Sequence, residues 1–370
     1  MRRACSIVPG GRVYTARMSL ELSENARAGH APARSRAWRY LFPSLVALLA
    51  VWFLWKVLGD EGLRQVADRL LSLNLTLTLA AVALTVIRYL TLAFRWELLA
   101  RREAPVGLAQ ITPVLMAGNF LSLVTPAVRV AGPILRAYYL SKETGRPRAR
   151  FYGTIVADQV SNFSIYAAVL APACVAVTLP GRPGFSFTVA AGLLAALTTG
   201  LYLCYRMLLA VEQGRPSLIH RVLGATLGRP DAGGWRGRFI TWWEELLHSL
   251  AGAVIGARAW WPAFMVSALS YAITVAIQIL SFEATGTHVG IAQVCFAISG
   301  AGFAQILLAA PGGAGVTEAS LVAVFLATGV DAGSATAGVF LARLINYAVV
   351  APWGGVAFFR LQRRYGQPAA

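Results

Sequence analysis

Five charged residues stand where charge is costly. Arg129, Arg136, Asp158, Glu318 and Arg343 each interrupt an apolar stretch. A charge near the centre of a bilayer costs about 2.5–3.5 kcal/mol on an insertion scale, so such residues face protein or water and mark functional paths. Arg129 and Arg136 are two helical turns apart and can share one helix face. Beside Asn119 and Thr125 they suit a phosphate, whose oxygens take paired hydrogen bonds from a guanidinium fork. Arg136 can equally meet lipid headgroups at the membrane surface. Asp158 and Gln159 lie two turns into an apolar span, and Asn162 shares a face with Asp158 at i,i+4. They fit a hydrophilic cavity lining, or interhelical hydrogen bonds worth about 0.6 kcal/mol each. Glu318 opens an apolar helix, where the dipole stabilises a carboxylate by roughly 0.3–1 kcal/mol. Capping explains it, and so does an acidic site that pairs with Arg343 or takes up a proton during transport. Asn346 and Tyr347, one turn beyond Arg343, carry the same two readings.

These residues flank two interruptions of the apolar sequence. The first is Thr125-Pro126. The second is Pro311-Gly312-Gly313, closed by Gly315, where the small residues allow tight turning and close packing. Broken backbone at membrane depth is tolerated only where protein or a water-filled cavity satisfies its freed polar groups.

The elements that must position these breaks follow from hydropathy and charge. Residues 1–37 read as a disordered, Arg-rich arm, within which Met18 is as good a start as Met1. A first span at 38–58 follows Arg27, Arg34, Arg36 and Arg39, which places the N-terminus in the cytoplasm. After a short amphipathic piece at 61–71, a second span at 73–94 returns to the cytoplasm at Arg95, Arg101 and Arg102. Arg88, within that span, is most simply an arginine reaching for the interface. Residues 106–124, the Thr125-Pro126 break and 130–140 end at the basic loop 142–150, so entry and exit lie on one side and the segment is expected to be a re-entrant hairpin. Spans at 151–179 and 185–205 follow, then a basic cytoplasmic loop at 206–238. Residues 239–257 carry Trp242, Trp243, Leu246, Leu247 and Leu250 at helical spacing, as an interfacial helix does. A span at 260–282 leads to a second broken hairpin, 289–310 and 316–328, between connectors 283–288 and 329–333 that lack Lys and Arg. The last span, 334–359, ends at Arg360, Arg363 and Arg364, leaving a short tail at 365–370.

The fold class expected is therefore an all-α polytopic membrane protein. It would have six full transmembrane helices plus two re-entrant broken hairpins in two inverted repeats, halves 38–205 and 239–364. Interrupted segments at matching positions of oppositely oriented halves point to a transporter's central site.

Composition agrees. The 370 residues are 57% hydrophobic and 13% charged, with mean hydropathy +0.61, where soluble domains are about a quarter charged. Thirty-three Lys and Arg against 16 Asp and Glu give +17. The basic residues sit between apolar spans, where they set topology and touch anionic headgroups. The basic-aromatic face of a nucleic-acid binder is not apparent. Four dispersed cysteines and four dispersed histidines give no disulfide framework, metal site or redox centre. No nucleophile–base constellation, P-loop or dinucleotide fingerprint occurs, so neither a catalytic residue nor a cofactor is expected.

Two stretches resemble a known family. Asn119 to Pro126 with Arg129-Val130-Ala131-Gly132 and Leu135 to Ser141 is similar to the first signature of the lysylphosphatidylglycerol synthase transmembrane-region family, also called flippase-like or UPF0104 proteins. Pro311 to Ala319, with Gly329-Val330 and Arg343, is similar to its second. The resemblance covers residues 41–364. It implies a bacterial inner-membrane protein that moves lipid or lipid-linked headgroups between leaflets, with envelope-lipid biosynthesis enzymes as possible partners. It also implies no lysyl-lipid synthesis by this chain, which stops after its last span without the aminoacyl-transferase domain of the full synthases. Three positions depart from the family pattern: Pro133 replaces a frequent glutamate, Asp158-Gln159 an acidic-basic pair, and Asn162 a later acid. The expected activity is translocation of an anionic headgroup, with Arg129 and Arg136 attracting phosphate and Glu318 and Arg343 forming the opposite gate. The competing expectations are a membrane-embedded transferase using a lipid-linked donor, with Asp158 and Glu318 as its acids or bases, and a non-catalytic envelope scaffold.

Overall fold

The longest contact in the bundle joins a helix of the first half to one of the second. α1 (Leu75–Ala100) packs antiparallel along α6 (Ala257–Ala284), and the Asn74 amide at the head of α1 donates to the Ala284 carbonyl at 3.1 Å. Asn74 also caps α1, its Oδ1 accepting from the Leu77 amide at 3.2 Å, as a favoured N-cap residue does. The computed structural model describes residues 64–124, 128–177, 235–255, 257–307 and 316–365, with scattered helical positions between 192 and 213. The arm at 1–37, the first span at 38–58, most of the span at 185–205 and of the loop at 206–238, and both breaks lie outside the described residues.

The remaining helices are α2 (Leu108–Val124), α3 (Val128–Thr144), α4 (Arg148–Ala176), α5 (Trp235–Ile255), α7 (Ile291–Leu307), α8 (Val316–Ala327) and α9 (Ala332–Tyr365). The described residues contain no strand. By length and composition α1, α4, residues Trp260–Ala284 of α6 and α9 can cross a membrane, while α2 and residues Ile291–Phe303 and Thr317–Ala327 are shorter and apolar. The chain is a polytopic helical membrane protein. Its outer surface fits that solvent: Leu79, Ile87, Leu90 and Phe94 of α1, Met265 and Leu269 of α6, and Leu344 and Phe359 of α9 all point outward, more exposed apolar surface than a soluble monomer carries.

Packing partners cross between the halves. α2 pairs with α3 and lies on α9; α7 pairs with α8 and lies on α4. Small residues permit the approach. A Cβ on Gly354 of α9 would meet the Met116 carbonyl oxygen of α2 at 2.6 Å, and one on Gly132 would meet the Gly118 carbonyl oxygen across α2–α3 at 2.7 Å. Membrane helices associate through such close contacts, since lipid tails are as apolar as leucine.

Two expectations change. α1 runs on to Ala100, well past Phe94, because Arg95 is not a surface charge ending the span; it is buried at 2% exposure. The leucine face of α5 is covered by protein: Leu246, Leu247, Leu250 and Ala251 pack with Leu99, Ala157 and Ala263.

Candidate functional site

A polar cavity of about 130 Å³ lies where four helices meet. α1 supplies Thr85 and Arg88, α6 Thr274 and Gln278, α8 Thr317 and Glu318, and α9 Arg343 and Asn346. A polar space of that volume holds several waters. Glu318, only 5% exposed, pairs with Arg343 through an Oε1–Nε distance of 2.7 Å. The Arg343 Nε also donates to the Tyr347 hydroxyl at 2.9 Å, and its guanidinium lies 4.9 Å from the centroid of that ring. On the opposite wall Arg88 sits over the Tyr89 ring at 5.6 Å, and the Tyr89 hydroxyl donates to Asn346 Oδ1 at 2.7 Å. Arg88 thus faces the cavity rather than only the interface.

A second polar cluster is buried among the helices. Arg95 and Asp158 form a two-pronged pair, Nε–Oδ1 2.5 Å and Nη2–Oδ2 3.0 Å. The remaining guanidinium nitrogen, Nη1, donates to Asn162 Oδ1 at 3.1 Å and Ser267 Oγ at 3.2 Å. Ser267 in turn lies 2.6 Å from the Ser161 hydroxyl. This satisfies a buried ion pair as its cost requires, since desolvation is offset only by good geometry and further hydrogen bonds. Three helices, α1, α4 and α6, are tied by it.

Arg136 occupies the seam between α3 and α2. It donates to Asn119 Oδ1, its guanidinium is 6.0 Å from the Trp96 ring, and its Nε is buried without a partner. Arg129 lies in the first turn of α3, its side chain outside the described residues, as are Thr125, Pro126, Gly312, Gly313 and Gly315. Gln159 is exposed on the side of α4 away from its buried neighbour Asp158. The structure therefore joins Glu318 to Arg343 and Arg136 to Asn119, and places Asp158 with neither.

The profile of a family described as lysylphosphatidylglycerol synthase TM region matches residues 41–354. The chain belongs to that family. A UPF0104 membrane protein of Methanocaldococcus jannaschii is 23% identical over 124 residues, covering 33% of this chain and 37% of that relative. The matched region is thus about a third of the relative's length.

In this family member both ion pairs fall inside the matched region, along with the cavity. Pro133 lies within α3, about one turn before Arg136. Asn162, standing where the resemblance sets a later acid, accepts from Arg95 and so remains part of the cluster as a neutral group. Arg95, Ser267, Arg88 and Gln278 were not singled out by spacing as site residues. A signal existed for the first: Asp158 deep in a span needs a counter-ion, and Arg95 lies in the neighbouring apolar helix. Gln278 offered none, since one amide in a long apolar helix is ordinary.

Proposed function

We propose that this protein moves an anionic lipid headgroup, or a lipid-linked one, between leaflets in a flippase-like manner. The observation that carries the reading is the cavity itself, in which the guanidiniums of Arg88 and Arg343 face the single carboxylate of Glu318 inside an apolar bundle. One positive charge is left over among the described lining residues, so an anion entering from the interface is attracted rather than repelled. The polar group would travel through the cavity while its acyl chains stay in lipid, and the Glu318–Arg343 pair would open and close the way.

The helix arrangement supports an inverted repeat. Exchanging α1 with α6, α2 with α7, α3 with α8 and α4 with α9 maps the contact of α2 on α9 onto that of α7 on α4. The flanks of α2–α3 lie near the C-terminal ends of α1 and α9: Arg150 meets Glu103 at 3.8 Å and Tyr365 donates to Glu143 at 2.9 Å. Those of α7–α8 meet at the opposite end, where Gln293 donates to the Thr328 carbonyl at 3.0 Å. Two hairpins entering from opposite sides are what alternating access around a central site requires.

The test is a headgroup-accessibility assay with the full chain in liposomes, comparing labelled anionic and zwitterionic lipids with and without a proton gradient. Anionic lipid is expected to become accessible to an external quencher faster than in empty vesicles. If intact, folded protein moves no lipid, the reading is lost.

A further inference from the structure

The cavity holds more hydrogen-bond donors than the Glu318–Arg343 pair uses. Gln278 is 7% exposed, and its Nε2 has no partner. Arg88 Nε is likewise buried and unpartnered. Asn346 gives its Oδ1 to Tyr89, leaving the amide nitrogen as its remaining polar group. Buried donors without acceptors are uncommon, and each costs about 1–3 kcal/mol when nothing answers it. All three residues line the same space, so a ligand rich in acceptors would answer the two unpartnered donors of Arg88 and Gln278 and could also take the Asn346 amide N–H.

We propose that Arg88, Gln278 and Asn346 form a binding site for a phosphate oxyanion. The proposal rests on the translocation reading and names the group that the cavity recognises. The donors come from α1, α6 and α9, hence from three directions. A tetrahedral phosphate presents oxygens to all three, whereas a planar carboxylate satisfies a single fork. Thr85 and Thr274 do not compete, because their hydroxyls donate to the Ala81 and Ser270 carbonyls within their own helices, both at 2.8 Å. At about 130 Å³ the space is far below the 300–1,000 Å³ or so of a pocket that engulfs a drug-sized ligand. It admits a phosphate group with water, while the acyl chains of a lipid stay outside it.

The experiment titrates the purified full chain, in an uncharged phosphate-free detergent, with two probes by calorimetry. One is short-chain phosphatidylglycerol; the other is inorganic phosphate. A short-chain diacylglycerol without phosphate is the control. Both phosphate probes are expected to bind and to compete, while the control does not bind. Tighter binding of the lipid marks a headgroup as the natural source, and equal binding marks the free ion. Arg88→Gln and Gln278→Leu should each weaken binding about tenfold, the loss of one charge-assisted hydrogen bond. Gln278→Glu separates binding from folding. It sets a carboxylate in the cavity with Arg88, so the unfolding temperature should hold while phosphate binding disappears. Failure of the wild type to bind either phosphate probe overturns the site. So does wild-type affinity in both folded variants. Lipid movement in vesicles without phosphate binding would remove this site and leave the translocation reading standing; binding without movement would do the reverse.

Discussion

At the scale of single residues the two ion pairs are alike in composition and different in consequence. Arg95–Asp158 has side chains 3% and 5% exposed and partners on every side. Removing the carboxylate strands a guanidinium in the buried interior, which costs about 3–5 kcal/mol. Asp158→Ala should therefore unfold far earlier in a denaturing-detergent titration than wild type, and Asp158→Asn somewhat less so. An unfolding midpoint unchanged in Asp158→Ala would show that the cluster carries no stability. Glu318–Arg343 borders the polar cavity, with the Arg343 side chain 31% exposed, so water entering that space could take over when the pair is broken. Glu318→Gln should keep a near-native unfolding midpoint and lose most of the lipid movement. Wild-type movement in Glu318→Gln vesicles would reduce that residue to a helix cap. The sequence made Glu318 and Arg343 visible, because each is an isolated charge in apolar surroundings. It concealed Arg95, because a charge close to Arg101 and Arg102 counts naturally toward the membrane surface; its burial is decided by the partner on α4. Arg88 was hidden in the same way, since reaching the interface and reaching a cavity look identical along one helix.

At the scale of elements, hydropathy locates the described helices, and it falls short where packing sets the end. α1 is extended to Ala100 by contacts of Trp96 and Leu99, both essentially buried, and α5 begins at Trp235 rather than Phe239. Which helices touch is not legible in a single hydropathy profile. It depends on small residues whose meaning appears only with the neighbour in place. Gly354 and Gly300 make the point. Both lie in apolar helices, yet a Cβ on Gly354 would press on the Met116 carbonyl oxygen at 2.6 Å, and one on Gly300 meets nothing within 4 Å. A backbone oxygen cannot swing aside, so Gly354→Ala must push α9 from α2, an overpacking cost of about 1–3 kcal/mol. Gly300→Ala should instead gain about 0.5–1 kcal/mol from the lower entropy of alanine in a helix. Opposite shifts in thermal unfolding midpoint are the expected result. Similar midpoints for the two variants would mean that α2 and α9 are not in close contact.

At the scale of the whole molecule, charge and packing bear on the same question, which way the chain faces. Arg101, Arg102, Arg146, Arg148, Arg363 and Arg364 are exposed near one end of the bundle, where Arg364 also lies 3.9 Å from Glu143. The opposite end carries residues 283–290 and 328–333, which contain neither Lys nor Arg, and is closed by Arg69 donating to Thr287 Oγ1 at 2.7 Å. Cytoplasmic loops hold the excess of basic residues, so the first end should face the cytoplasm. The proposal that α2–α3 and α7–α8 are re-entrant hairpins then makes a sharp prediction, because a re-entrant hairpin leaves the membrane on the side it entered. Pro105 and Arg146 flank α2–α3, and His288 and Ala327 flank α7–α8; all four are exposed. With Cys5, Cys174, Cys204 and Cys295 first replaced, a single cysteine at each position should be read with a membrane-impermeant maleimide on intact cells. Labelling is expected at His288→Cys and Ala327→Cys without lysis, and at Pro105→Cys and Arg146→Cys only after it. If Pro105→Cys and Arg146→Cys react from opposite sides, α2–α3 is a full crossing. The parity of every later segment would then invert, and the inverted repeat would go with it. Should the two pairs merely trade sides, the hairpins would survive and the positive-inside assignment would fail.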